Sequence, residues 1–149
     1  MRIRDVECVF DGWFSINIPQ NWKYETSSDL LSIYPMNAGK GAVQISFFRR
    51  TEADKSSAEI ANHHLDRFIN QYEIEVDIYS RKIIEAPCYI VANVAGTYQS
   101  DYIKVWTIVN QDKMLLITYI CNKKTRELNT VENIIYSINF IDKTSYCNE

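Results

Sequence analysis

The chain has 149 residues, 46% of them hydrophobic and 13% aromatic, so it holds enough apolar surface for one packed core and lacks the polar bias of a disordered chain. Sixteen Lys and Arg against nineteen Asp and Glu give a formal net charge of −3, with the basic residues scattered, which argues against a nucleic-acid partner. No apolar run reaches the roughly 20 residues of a bilayer-spanning helix, and the charged start leads into no signal-like apolar stretch. The expectation is a cytoplasmic protein with no membrane partner.

In chain order, residues 6–10 and 13–18 read as strands around Asp11 and Gly12, a residue pair suited to the positive φ of a two-residue type I′ hairpin. Pro19 ends the second strand because it has no amide to give to a ladder. Residues 30–34 form a further strand stopped by Pro35. Gly39, Lys40 and Gly41 then turn into a strand where Val43, Ile45 and Phe47 alternate with Gln44 and Ser46. Ser56 and Glu59 form a capping box. Ala61, Leu65, Phe68, Ile69 and Tyr72 fall on one face of the helix that follows, a stripe fit to pack on a sheet.

From Glu73 to Ile78 acids alternate with aliphatics, and residues 81–85 add a short extended piece ended by Pro87. Stretches 88–98, 102–110 and 113–121 predict an antiparallel meander with tight turns at 99–101 and 111–112. In its middle strand Ile103, Val105 and Val109 occupy one parity and Trp106 and Ile108 the other, so both faces are covered. Leu128, Val131, Ile135 and Ile138 mark a last helix from about 124 to 136, before a polar tail. The class is α+β, an antiparallel sheet sandwiched between helices, in one domain over 1–149 with its core over about 6–140.

Phe14, Ile16, Pro19 and Trp22 spell a Phe-x-Ile-x-x-Pro-x-x-Trp motif, followed by a hairpin, a helix, a meander and a closing helix ending at Ser137, Ile138, Asn139 and Phe140. Over about residues 6–140 this pattern resembles the PsbP-like fold group, which also holds the Ran guanine-nucleotide release factor. The resemblance implies an antiparallel sheet between helices, a core role for Trp22, and a binding or accessory function. No residue-by-residue match carries over a partner-binding or metal-binding position.

The residues that could bear chemistry are few. Cys8, Cys88, Cys121 and Cys147 form no closely spaced pair of the kind zinc sites use and read as small buried hydrophobes. His63 and His64 point about 100° apart on a helix, too far to share one metal readily, and a nucleophilic pairing of Cys88 or Cys121 with His64 lacks a third, orienting group. Lys40 precedes the second glycine of its turn and a strand follows, so no phosphate loop is present.

Glu73, Glu75 and Asp77 lie on one side of a strand with successive carboxylates roughly 6.8 Å apart. They read as an acidic docking face for a basic partner or, preferred, as charges that discourage edge-to-edge pairing. Lys123 and Lys124, at the start of the last helix, are the candidate anion-binding residues. Among the aromatics, Trp13 and Tyr24 stand beside turns and are the candidate partner contacts. No cofactor, metal or catalytic residue is expected. The first reading is a non-enzymatic module that recognises an unknown protein partner. The second is a small-molecule binder or enzyme with a pocket between sheet and helix, lined by Gln44, Ser46 and Asn93.

Overall fold

The computed structural model describes residues 4–10, 12–36, 41–51 and 54–141. Strands β1 (Asp5–Phe10) and β2 (Phe14–Pro19) pair antiparallel, from Asp5 opposite Pro19 to Phe10 opposite Phe14. That register leaves three residues in the connection, one more than the expected hairpin. Gly12 takes φ +79° and Trp13 N donates to Phe10 O at 2.9 Å. Asp11, the other half of the expected turn pair, lies outside the described residues, as do Gly39 and Lys40 of the next turn and Cys147 of the tail.

β3 (Trp22–Ser27), β4 (Leu30–Pro35) and β5 (Gly41–Arg49) follow. β3 was no part of the sequence expectation. Only Trp22 is buried in it, and the rest is polar or exposed. Helix α1 (Ser57–Gln71) opens as expected: Ser56 Oγ accepts from Glu59 N at 3.2 Å, and Glu59 Oε1 accepts from Ser56 N at 3.5 Å. β6 (Glu75–Glu85) is one strand with a break in register between Asp77 and Lys82, where two separate pieces were expected. Glu73 is not on it. It sits in the turn after α1 with a left-handed φ of 51°, so only Glu75 and Asp77 of the acidic set share the strand.

β7 (Ile90–Tyr98), β8 (Asp101–Asn110) and β9 (Lys113–Cys121) form the expected meander. Gln99 and Ser100 join the first two with φ values of 48° and 74°, the left-handed pair a tight hairpin requires. Helix α2 (Glu127–Tyr136) begins later than the sequence pattern indicates: Arg126 at its N-cap offers no side-chain bond, and Thr125 Oγ1 accepts from Glu127 N at 3.2 Å instead. β10 (Asn139–Phe140) returns to pair with the free side of β2.

All strand pairs are antiparallel. They form a seven-stranded sheet in the order β3-β4-β5-β9-β8-β7-β6 and a three-stranded sheet in the order β1-β2-β10. The α+β class holds, with helices on opposite faces of the large sheet. The single expected sheet resolves into two, since β2 turns Phe14, Ile16 and Ile18 into the core from a layer it shares with α2.

Side-chain parity on β8 divides the core in two. Trp106 and Ile108 face the layer of α2 and the small sheet, joined by Ile45, Ile117, Tyr119 and Trp22. Ile103, Val105 and Val109 face α1, joined by Ala92, Val94, Ile60 and Leu65. Thr107 ties helix to sheet on that side, its hydroxyl donating to Ala61 O at 2.7 Å in a buried position. On the other side Tyr119, fully buried, donates its hydroxyl to Glu127 Oε1 at 2.7 Å and fixes the start of α2. No described helix is long and apolar enough to cross a membrane.

Candidate functional site

Helix α1 does not sit over the middle of the large sheet. It packs on β8 and β7 and reaches only the margin of β6. On the same face Met114 of β9 and Phe48 of β5 still meet α1 at one end, while Gln44, Ser46 and Thr118 and the residues of β4 and β3 on that side have no described helix above them. Cross-strand register places Gln44 beside Thr118 and Ser46 beside Leu116 on this uncovered half. Where it meets α1 a groove of about 330 Å³ opens. Its floor is Gln44, Ser46, Thr118, Leu116 and Ile120; its wall is Phe68, Gln71, Tyr72 and Tyr98.

The wall is ordered by ring packing: Phe68 lies 4.6 Å from Tyr72, and Tyr72 meets Tyr98 edge-on at 6.3 Å and 82°. The floor supplies amide and hydroxyl groups that both donate and accept. Among the described residues no carboxylate, ammonium, imidazole or thiol lines the groove. At the far margin of the uncovered half, Tyr34 donates to Glu25 Oε1 at 2.8 Å, and this bond raises the Tyr34 phenol above its usual range.

Of the residues expected for a pocket between sheet and helix, Gln44 and Ser46 line this groove and Asn93 does not. Asn93 pairs with Trp106 and so faces the opposite side of the sheet, where it is buried.

Trp13 is half-buried rather than free on the surface. Its ring packs on Phe47 at 5.2 Å and carries the Arg49 guanidinium 5.2 Å from its centroid, while Arg49 bonds Asp112 at 2.5 Å. It lines a shallow depression with Phe10 and Phe47. Tyr24, half exposed, stands edge-on to Phe10 at 6.2 Å and 83°, so Phe10 bridges the two candidate contacts. A hydrogen bond with Cys8 raises the Tyr24 phenol above its ordinary value.

Glu75 is exposed at the start of β6, and Asp77 Oδ1 accepts from Tyr79 N at 3.1 Å, which commits that carboxylate to its own turn. Lys123 and Lys124 are exposed ahead of α2 and stand away from the groove.

His63 is exposed, and His64 packs between it and Phe48 at 5.5 and 5.8 Å. Cys121 is buried on the α2 side of the sheet and His64 lies on the α1 side, so the imagined thiol–imidazole pair is separated by the sheet itself. Cys8 and Cys121 are free thiols, whereas Cys88 is half-buried and disulfide-bonded, so it is neither a nucleophile nor a simple buried hydrophobe. Among the described residues no group of His, Cys, Asp and Glu is arranged to hold a metal ion.

No family model matches the chain, and no curated protein matches it significantly in sequence. Solved structures match it in shape. Cyanobacterial PsbP from Synechocystis sp. PCC 6803 shares 7% identity over 93% of this chain and 92% of its own, with a TM-score of 0.62. A point mutant of the protein Mog1 shares 10% over 97% of this chain and 98% of its own, with a TM-score of 0.63. A Bacteroides thetaiotaomicron protein shares 14% over 93% of this chain, with a TM-score of 0.62, and the match spans 49% of that protein's length.

Proposed function

We propose, from the premise that the chain has the PsbP/Mog1-like fold, that it is a non-enzymatic binding module whose protein partner docks on the uncovered half of the large sheet. The observation that carries this reading is the lateral placement of α1, which leaves a polar sheet surface open beside an aromatic-walled groove. Such a surface offers a broad footprint, and the groove offers a recess for one anchoring side chain, the usual division between rim and hot spot. Its amide and hydroxyl lining suits an uncharged anchor. The accessory role that the fold resemblance implies agrees with binding.

The groove's volume also lies in the range of small-ligand pockets, about 300–1,000 Å³, which keeps a metabolite as the second reading. One experiment separates the two. Affinity capture from the native lysate is run with the wild-type chain, with Ser46→Trp to fill the groove, and with Tyr24→Ala at the Phe10 depression, each followed by native mass spectrometry. The expected result is a protein recovered by the wild type and by Tyr24→Ala and lost with Ser46→Trp. Recovery of a bound metabolite alone favours the second reading, and loss only with Tyr24→Ala moves the partner to the Phe10 patch.

A further inference from the structure

We propose that the outer edge of β6 pairs with the same edge of a second copy of this chain, antiparallel about a two-fold axis at Ile83, joining the two large sheets in a homodimer. Among the described residues β6 ends the seven-stranded sheet and has one neighbouring strand, β7. In an antiparallel ladder alternate residues turn both backbone groups to the same side. Ala86 N donates to Tyr89 O at 2.9 Å, and the pairing of Ile84 with Val91 and Lys82 with Asn93 continues that phase. Ile83 and Glu85 therefore aim their amides and carbonyls outward, and Arg81 stands at the same parity on the strand, next to the break in register.

A two-fold axis perpendicular to the sheet preserves its faces, so residues that meet across it share parity. Centred on Ile83, it sets Ile83 against the partner's Ile83 and Arg81 against the partner's Glu85, with the reciprocal pair on the other side. The central pair joins two outward-facing residues and so exchanges two N–H···O bonds, and the two flanking pairs fall at the same parity. The neighbouring registers fail. A centre at Lys82 opposes two ammonium groups. A centre at Ile84 sets Arg81 against the partner's Pro87, which has no amide.

Side chains fit the same register. Ile83 and Ile84 are 45% and 39% exposed on opposite faces of an edge, where lone apolar residues gain from a covering neighbour. Arg81 is already held on the α1 face by Asp66 at 2.6 Å and Asn62 at 3.0 Å, and its guanidinium keeps further donors for a second carboxylate. The bulge above it is fixed by Ser80 Oγ, which accepts from Ala95 N at 2.8 Å. It leaves Ile78 and Tyr79, 69% and 89% exposed, at the end of the same border.

Sedimentation equilibrium of the whole chain over micromolar to millimolar concentration tests this, with circular dichroism as the check on folding. The wild type is expected to dimerise. Glu85→Arg and Arg81→Glu, each of which opposes like charges twice, are expected to weaken the dimer about tenfold or more, while an equimolar mixture of the two variants re-forms it as a heterodimer. Ile83→Pro removes an outward amide and no bond to β7, so it is expected to leave the spectrum intact and abolish dimerisation. A wild type that stays monomeric at every concentration overturns the proposal. So does a dimer indifferent to Glu85→Arg with no preference for the mixed pair.

Discussion

Gly96 shows how a single position governs the edge of this sheet. It lies opposite Val76, and a Cβ built there would meet Glu75 O at 2.2 Å and Val76 Cα at 2.9 Å. Both obstacles are backbone, so neither can rotate away. Gly96→Ala must push the start of β6 off β7, and the expected cost is about 1–3 kcal/mol in urea denaturation, the range of an overpacked interior. Amide exchange should accelerate at Glu75 and Asp77 and stay unchanged in β8. Gly12 differs: nothing lies within 4 Å of its absent Cβ, and its requirement is the backbone φ of +79° alone.

At the scale of elements, α1 is the part most dependent on its own sequence. Ser56 supplies one cap bond and Glu59 returns the other, so Ser56→Ala is expected to lower stability by about 1 kcal/mol, read from the denaturation midpoint. That box was legible because both partners lie within four residues. So was the meander, whose alternating β8 residues divide between two covered faces as their parity indicates. β3 was not legible. Lys23, Glu25 and Ser27 face the open half of the sheet and carry no apolar signal, and the strand exists because β4 pairs with it along its whole length. β10 is two residues held by β2, more than a hundred residues away in the chain. The groove was half legible: Gln44 and Ser46 were identified, while Asn93 was misplaced. Which face a polar strand residue joins depends on registers between distant strands, and the aromatic wall of Tyr72 and Tyr98 depends on where α1 comes to rest.

For the whole molecule the tyrosines set an alkaline limit. Burial, then the nearby Glu132 and Cys121, pushes Tyr102 up to about 12 from 10.0. Burial, then the bond to Glu127, raises Tyr119, and burial raises Tyr89 and Tyr136. The unfolded chain thus releases phenolic protons that the fold retains, so this stability is complete below pH 10 and is lost as pH rises from 10 through 12. Urea midpoints should be level to about pH 9 and decline beyond pH 10, with a shallower decline in Tyr102→Phe. A decline of equal slope in the variant would remove Tyr102 from the account. The Ser80 tether has a different kind of consequence. It creases one border of the large sheet, leaving a smooth run of only a few residues, while the opposite border, β3, is mostly polar apart from Trp22 and Tyr24. Two unlike borders, one of them creased, give copies no repeating head-to-tail fit. With the pairing proposed above, such molecules are expected to stop at closed pairs, and light scattering at high concentration should show no growth into fibres.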